Sequence, residues 1–363
     1  MAIFAFSEAA DSLQKGKRIK PEMPVNQPDK TKQNKQVPTK KRGTGLRRGN
    51  LAGLLMLFCL MAGHAQQEGN QMTQFMHNTY SYNPGFAGLS NGICTSVLHR
   101  QQWIGIGKGL DESVKITAPN STIIMAHMPI RAIKGGIGVE IASFNASLFR
   151  QTYVKAGYAY HLQTSFGVIG MGIRAQLQTL GMDGDFNPRD EGDPIITDIQ
   201  ESETGVYGDV SVGFYLQGNG GYFVGIAANN LISHKSQKIA YQPSRTFVLH
   251  GGYTFSFPSL SKIEFTPSTY LETDFATFNW SIAMTGTFNK RFWAGLSYRL
   301  QDAVSILGGV NIGKLQLGLA YDITASRFIR ASKMGGAFEV SVKYCFGLEG
   351  DNTNTEYKNA RYL

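Results

Sequence analysis

After residue 65 the chain never gathers an apolar run approaching 18 residues, yet it alternates apolar and polar side chains almost to its end. Period two marks a strand with two unlike faces, and about fourteen such segments can be read. They lie near 92–103, 121–128, 136–145, 150–162, 167–179, 205–217, 221–230, 245–257, 262–273, 276–288, 291–299, 304–312, 315–323 and 335–346. The last is the clearest: Phe338, Val340, Val342, Tyr344 and Phe346 share one face, Glu339, Ser341, Lys343 and Cys345 the other. A soluble sandwich gives the same alternation, so the polar face has to decide. Arg174, Gln176, Glu339 and Lys343 stand mid-strand and need water inside, while the opposite face needs lipid. The expected fold class is therefore all-β, an antiparallel transmembrane β-barrel of about 14 strands.

Connections fit that expectation. Gly218-Asn219-Gly220, Pro258-Ser259, Asn289-Lys290 and Gly313-Lys314 are tight, whereas 104–120, 180–204, 231–244 and 324–334 are long. Outer-membrane barrels keep short turns at the periplasm and long loops outside, and an even strand number places both termini in the periplasm. Gly is frequent, 42 residues, and Phe and Tyr supply 22 and 16 more, the palette of barrels with aromatic interfaces and crowded strands. Pro267 costs a ladder hydrogen bond inside the ninth segment and predicts a bulge or bend there.

The charge of +9 suggests nucleic acid until it is located. Residues 1–65 hold twelve Lys/Arg against four acids, a net of +8, and the rest holds 23 against 22. Basicity belongs to the leader, so no nucleic-acid partner is expected. Arg47-Arg48 precede an apolar run from Leu51 to Ala62, closed by Gly63-His64-Ala65. As a helix that run reaches about 18 Å against a hydrocarbon core of about 30 Å, and it reads as a secretory signal peptide. The expected organisation is a basic leader at 1–46, for which Met23 is an alternative start, a signal peptide at 47–65, and a periplasmic or plug-like segment at 66–91. A barrel at 92–346 and a polar periplasmic tail at 347–363 follow.

Asn83-Pro84-Gly85 stops any helix just before the first alternating strand, which Trp103 closes. Two cysteines remain after the signal, Cys94 in that strand and Cys345 in the last. In a closed barrel these strands are neighbours, and both positions fall on the inward face near the periplasmic end. They form either a disulfide across the seam, in an oxidising compartment, or two unpaired buried thiols.

Catalytic and metal motifs fail on context. Gly88-Leu-Ser90-Asn-Gly92 matches a nucleophile elbow, but that motif needs a strand before it and here the strand follows. Gly105-Ile-Gly107-Lys108-Gly109 lacks the Ser/Thr and the helix of a phosphate loop. The seven histidines show no paired ligand spacing, so no zinc and no cofactor are expected. Asp183, Asp185, Asp190, Glu191 and Asp193 begin like an EF-hand, with Pro188 and Pro194 where Gly and the bidentate Glu belong. They read as a solvated outer loop able to meet a basic partner.

Gln71-Met-Thr-Gln74-Phe75-Met76, then Tyr82-Asn83-Pro84-Gly85-Phe86-Ala87-Gly88, then Arg100-Gln101-Gln102-Trp103 resemble the opening signature of the PorP/SprF family of outer-membrane proteins. Gly85-Phe86 stand where that family usually has Ala-Tyr. The matched positions are Tyr82, Asn83, Pro84, Gly88, Arg100, Gln102 and Trp103. The resemblance implies an outer-membrane barrel of the type IX secretion and gliding machinery, without catalysis. It implies a partner role toward large secreted surface proteins, through their C-terminal domain, and association with periplasmic and outer-membrane secretion subunits. The residues themselves leave a second reading open, a passive pore for small solutes in which inward Lys155, Arg174, Arg299 and Lys343 form a weakly cation-excluding lining. A barrel hydrolase is a third, against which the failed elbow argues.

Overall fold

The computed structural model describes residues 71–90, 92–104, 118–146, 149–182, 205–233, 242–257, 262–324 and 335–347. The leader, the signal sequence, the acidic loop 183–193 and the polar tail lie outside the described residues. Fifteen strand segments follow in order: β1 (Gly92–Gln101), β2 (Asn120–Ile130), β3 (Gly135–Ala146), β4 (Phe149–Thr164), β5 (Gly167–Met182), β6 (Gly205–Gly218), β7 (Tyr222–Asn229), β8 (Thr246–Tyr253), β9 (Phe255–Ser256), β10 (Ile263–Thr273), β11 (Phe278–Phe288), β12 (Phe292–Arg299), β13 (Ala303–Ile312), β14 (Leu315–Thr324) and β15 (Ala337–Gly347). Each pairs antiparallel with its sequence neighbours, β8 and β9 act as one stave against β10, and β15 returns to β1. The result is a closed barrel of fourteen staves.

The interruption between β8 and β9 sits opposite Pro267. Ser268 pairs with Gly252 above it and Phe265 with Phe255 below it, three residues on each strand. Register is therefore kept. The irregularity expected at Pro267 is a gap in the ladder with no inserted residue, because proline lacks the donor but its neighbours stay in step.

Alternation sets the two surfaces. Leu296, Ile306 and Leu319 are about 60% exposed at mid-strand (61%, 54% and 62%) on the outside. At one rim of that apolar band stand Phe247, Phe278, Tyr298, Tyr321 and Phe338, and at the other Tyr253, Phe265, Phe288, Phe292 and Phe346. Two aromatic girdles around an aliphatic belt is how a barrel meets two lipid interfaces. Connections are sorted as well. The four of twelve residues or more (102–119, 183–204, 230–245, 325–336) all leave one end, whereas those at the other end run from two to six residues. β1 starts and β15 finishes at the short-turn end.

Candidate functional site

The lumen is filled by residues 71–90, which have no period two to form a strand and are broken as a helix by Asn83-Pro84-Gly85. They fold instead into three 3-10 turns, Phe75–His77, Thr79–Ser81 and Pro84–Phe86. Pro84 begins the third, where its missing donor costs nothing, and the Asn83 side chain accepts from the Gly85 N–H at 2.9 Å. Gln74, Tyr80, Asn83 and Ala87 are wholly buried. A buried irregular segment must have its backbone groups satisfied by something other than a ladder, and here the barrel wall supplies the partners.

The segment starts near the long-loop rim. The Glu339 carboxylate of β15 accepts the backbone N–H of Thr73 at 2.8 Å and of Gln74 at 2.7 Å. The Thr73 hydroxyl donates to Asp322 of β14 at 2.8 Å and accepts from Arg100 at 2.7 Å. Arg100 in turn pairs with Asp322 at 2.6 Å and with Glu339 at 3.5 Å. Arg299 of β12 closes the cluster on Asp302 at 2.7 Å and Asp322 at 3.7 Å. Four strands thus converge on two residues of the segment. Buried charges are tolerable only when paired and hydrogen-bonded, and this cluster meets that condition by including the plug.

Three further carbonyls are received mid-barrel. Arg174 donates to Tyr80 O at 2.7 Å and Ser81 O at 2.9 Å, and Asn229 donates to Tyr82 O at 3.2 Å. Lys155 pairs with Glu140 at 2.8 Å. The Tyr80 hydroxyl donates to Gly138 O at 2.6 Å. Asn83 donates to Phe214 O at 3.0 Å and meets His250 Nε2 at 2.9 Å. The inward Arg174 and Lys155, read from sequence as a pore lining, are thus engaged with the plug and with Glu140.

Glycines on the inner wall provide the space. A Cβ on Gly138 would lie 2.5 Å from the Tyr80 ring, one on Gly172 would overlap the Pro84 carbonyl, and one on Gly213 would overlap the Asn83 amide. Gly88 has φ +71° and rests on Gly136 and Met128 at the short-turn end. There the plug runs into β1, with the Ser90 hydroxyl on Gly92 O at 3.1 Å and 3.3 Å from His127 Nδ1. The segment therefore crosses the lumen from one rim to the other.

Of the signature positions, Tyr82, Asn83, Pro84, Gly88 and Arg100 come together in this plug and its latch. Gln102 and Trp103 do not: β1 ends at Gln101, two residues before the expected Trp103, and both sit half-buried at the long-loop rim, where Gln102 N–H donates to Pro119 O at 2.8 Å. Cys94 and Cys345 are opposed in the β1–β15 ladder and joined by a disulfide, Cα–Cα 4.1 Å. Among the described residues no group of three or more His, Cys, Asp or Glu is placed to hold a metal ion. Sequence reasoning gave no role to Thr73 and Gln74, which stand within the quoted signature stretch, nor to Asp322 and Asn229, whose trace is an inward register on their strands.

A family model described as type IX secretion system membrane protein PorP/SprF matches residues 64–344. The chain belongs to the PorP/SprF family. Its barrel is accordingly an outer-membrane one. Solved structures resembling this PorP/SprF chain include the outer membrane protein Omp33 of Acinetobacter baumannii (8% identity, TM-score 0.42, covering 71% of this chain and 100% of that one). The toluene transporter TbuX of Ralstonia pickettii resembles it at 10% identity and TM-score 0.41, covering 73% and 92%. A KdgM porin does so at 10% and 0.34, covering 70% and 99%. A comparison with curated proteins finds no match.

Proposed function

We propose that this outer-membrane barrel is a non-enzymatic partner in type IX secretion, assisting export of large secreted proteins and holding them at the surface through their C-terminal domain. The observation that carries the reading is the filled lumen. A segment tied to six strands by buried hydrogen bonds leaves no passage for a polypeptide, so a cargo has to be engaged from outside the barrel. The long connections gathered at one end are the surface on offer. The acidic residues Asp183, Asp185, Asp190, Glu191 and Asp193 belong to the longest of them and suit a basic patch on the cargo. The short-turn rim, where β15 ends, is offered to the other secretion subunits, and the same role extends to gliding motility.

The test is a pull-down of the tagged full chain from gently solubilised outer membranes, with mass spectrometry of what accompanies it. A large secreted polypeptide together with secretion subunits is the expected result. Recovery of the barrel alone, while a control complex survives the same extraction, overturns the reading. The second reading, a passive pore, requires steady conductance from the unmodified protein, and the occupied lumen argues against it.

A further inference from the structure

The plug is held in two different ways along its length. Tyr80, Phe86 and Ala87 pack with Leu98, Ile123 and Tyr215, filling the β1–β6 half of the lumen. That rear part is docked on inner-wall glycines whose substitution would meet backbone atoms: a Cβ on Gly85 itself would lie 2.8 Å from Gly170 O and 2.9 Å from Gly213 O. It is also continuous with β1. Phe75 and Met76 instead pack with Tyr270, Ala283, Trp293 and Leu307 in the other half. Their arm, residues 71–77, is fastened at its upstream end by Glu339, Asp322 and Arg100.

The wall against the arm is lined by small hydroxyl side chains, Ser268, Ser281, Thr285, Ser297 and Ser305, all buried. The Ser268 hydroxyl has no hydrogen-bond partner, nor has the indole N–H of Trp293. Beneath the arm, at the short-turn end, a polar cavity is lined by Glu264, Thr266, Thr285, Thr287, Trp293 and Gln316. A gap lined by polar groups beneath the arm is space that packing has not claimed. Acids outnumber bases on this side: Glu264, Glu272, Asp302, Asp322 and Glu339 face Arg100, Arg299 and Lys343.

We propose that the arm 71–77 is a latched gate, and that its release, with the rear of the plug left in place, opens the β7–β14 half of the lumen to small cations. This function is independent of the secretion reading, because it concerns what passes through the barrel rather than what binds outside it. Glu339 is the principal latch, since it holds two consecutive backbone N–H groups of the arm, and Gln74 is the point at which the arm can be locked, since Ser341 donates to its side chain at 2.7 Å.

The test uses the full chain with C94S and C345S, reconstituted in planar bilayers, so that added reductant acts on an engineered lock alone. E339Q is expected to raise the open probability of a cation-selective conductance at least tenfold over its parent. T73V, which keeps both backbone donors and loses the hydroxyl, gives a smaller rise in the same conductance. Adding Q74C and S341C to E339Q abolishes the conductance until reductant is supplied. Folding of every variant is read from its mobility before and after heating. Folded E339Q and T73V that conduct no more than the parent overturn the proposal, as does an anion-selective conductance or one indifferent to the lock.

Discussion

A single methyl group separates the two uses this barrel makes of glycine. Gly172 and Gly208 lie on adjacent strands, β5 and β6. Gly172 points inward and a Cβ there would run into the Pro84 backbone, whereas a Cβ on Gly208 finds only the tip of Leu177 at 3.9 Å. Overpacking against backbone costs about 1–3 kcal/mol, and a substitution into open space stays within about 0.5 kcal/mol. Gly172→Ala is therefore expected to lower the unfolding midpoint in detergent-solubilised protein, and Gly208→Ala to leave it in place. Equal shifts would mean that the glycine wall does not hold the plug. From sequence these glycines read as places where strands bend or crowd. The alternation reveals which of them face inward, but nothing local says that what crowds them is residues 80–88.

The seam between β1 and β15 is the element on which closure depends, with ten register pairs from Gly92–Gly347 to Gln101–Phe338. Cys94 and Cys345 cross it near the short-turn end, 251 residues apart in sequence. Cross-linking such distant positions restricts the unfolded chain, typically by about 2–4 kcal/mol, while the ladder itself still forms without it. We expect the thiols of Cys94 and Cys345 to be alkylated only after reduction, and a reduced or C94S/C345S barrel that folds but melts earlier. Two thiols reacting in unreduced, denatured protein would remove the staple.

Strands and their neighbours were legible because burial on one face imposes period two, and seam and cysteines followed from closure. For residues 66–91 the expectation stopped at a periplasmic or plug-like segment; the 3-10 turns and the partners were not legible, since the turns have no period and the partners are set by distant register. Arg174 shows the limit well. Its inward direction could be read from the alternation, but its task, receiving the Tyr80 and Ser81 carbonyls, depends on a segment more than 90 residues away.

For the whole molecule the decisive quantity is orientation, because both the docking reading and the gate assign roles to particular rims. The β10–β11 turn lies at the long-loop end and exposes Ala276, and the β13–β14 turn lies at the other end and exposes Lys314. Outer-membrane barrels keep their short turns at the periplasm and their long connections outside. In a C94S/C345S background, A276C is expected to react with an impermeant maleimide on intact cells, and K314C only after the outer membrane is breached. That outcome would put Thr73 and its Glu339 latch beneath the outer surface, where an engaged cargo could pull on the arm. The reverse labelling would turn the barrel over, place the latch within reach of periplasmic subunits, and require the cargo to be sought on the short-turn side.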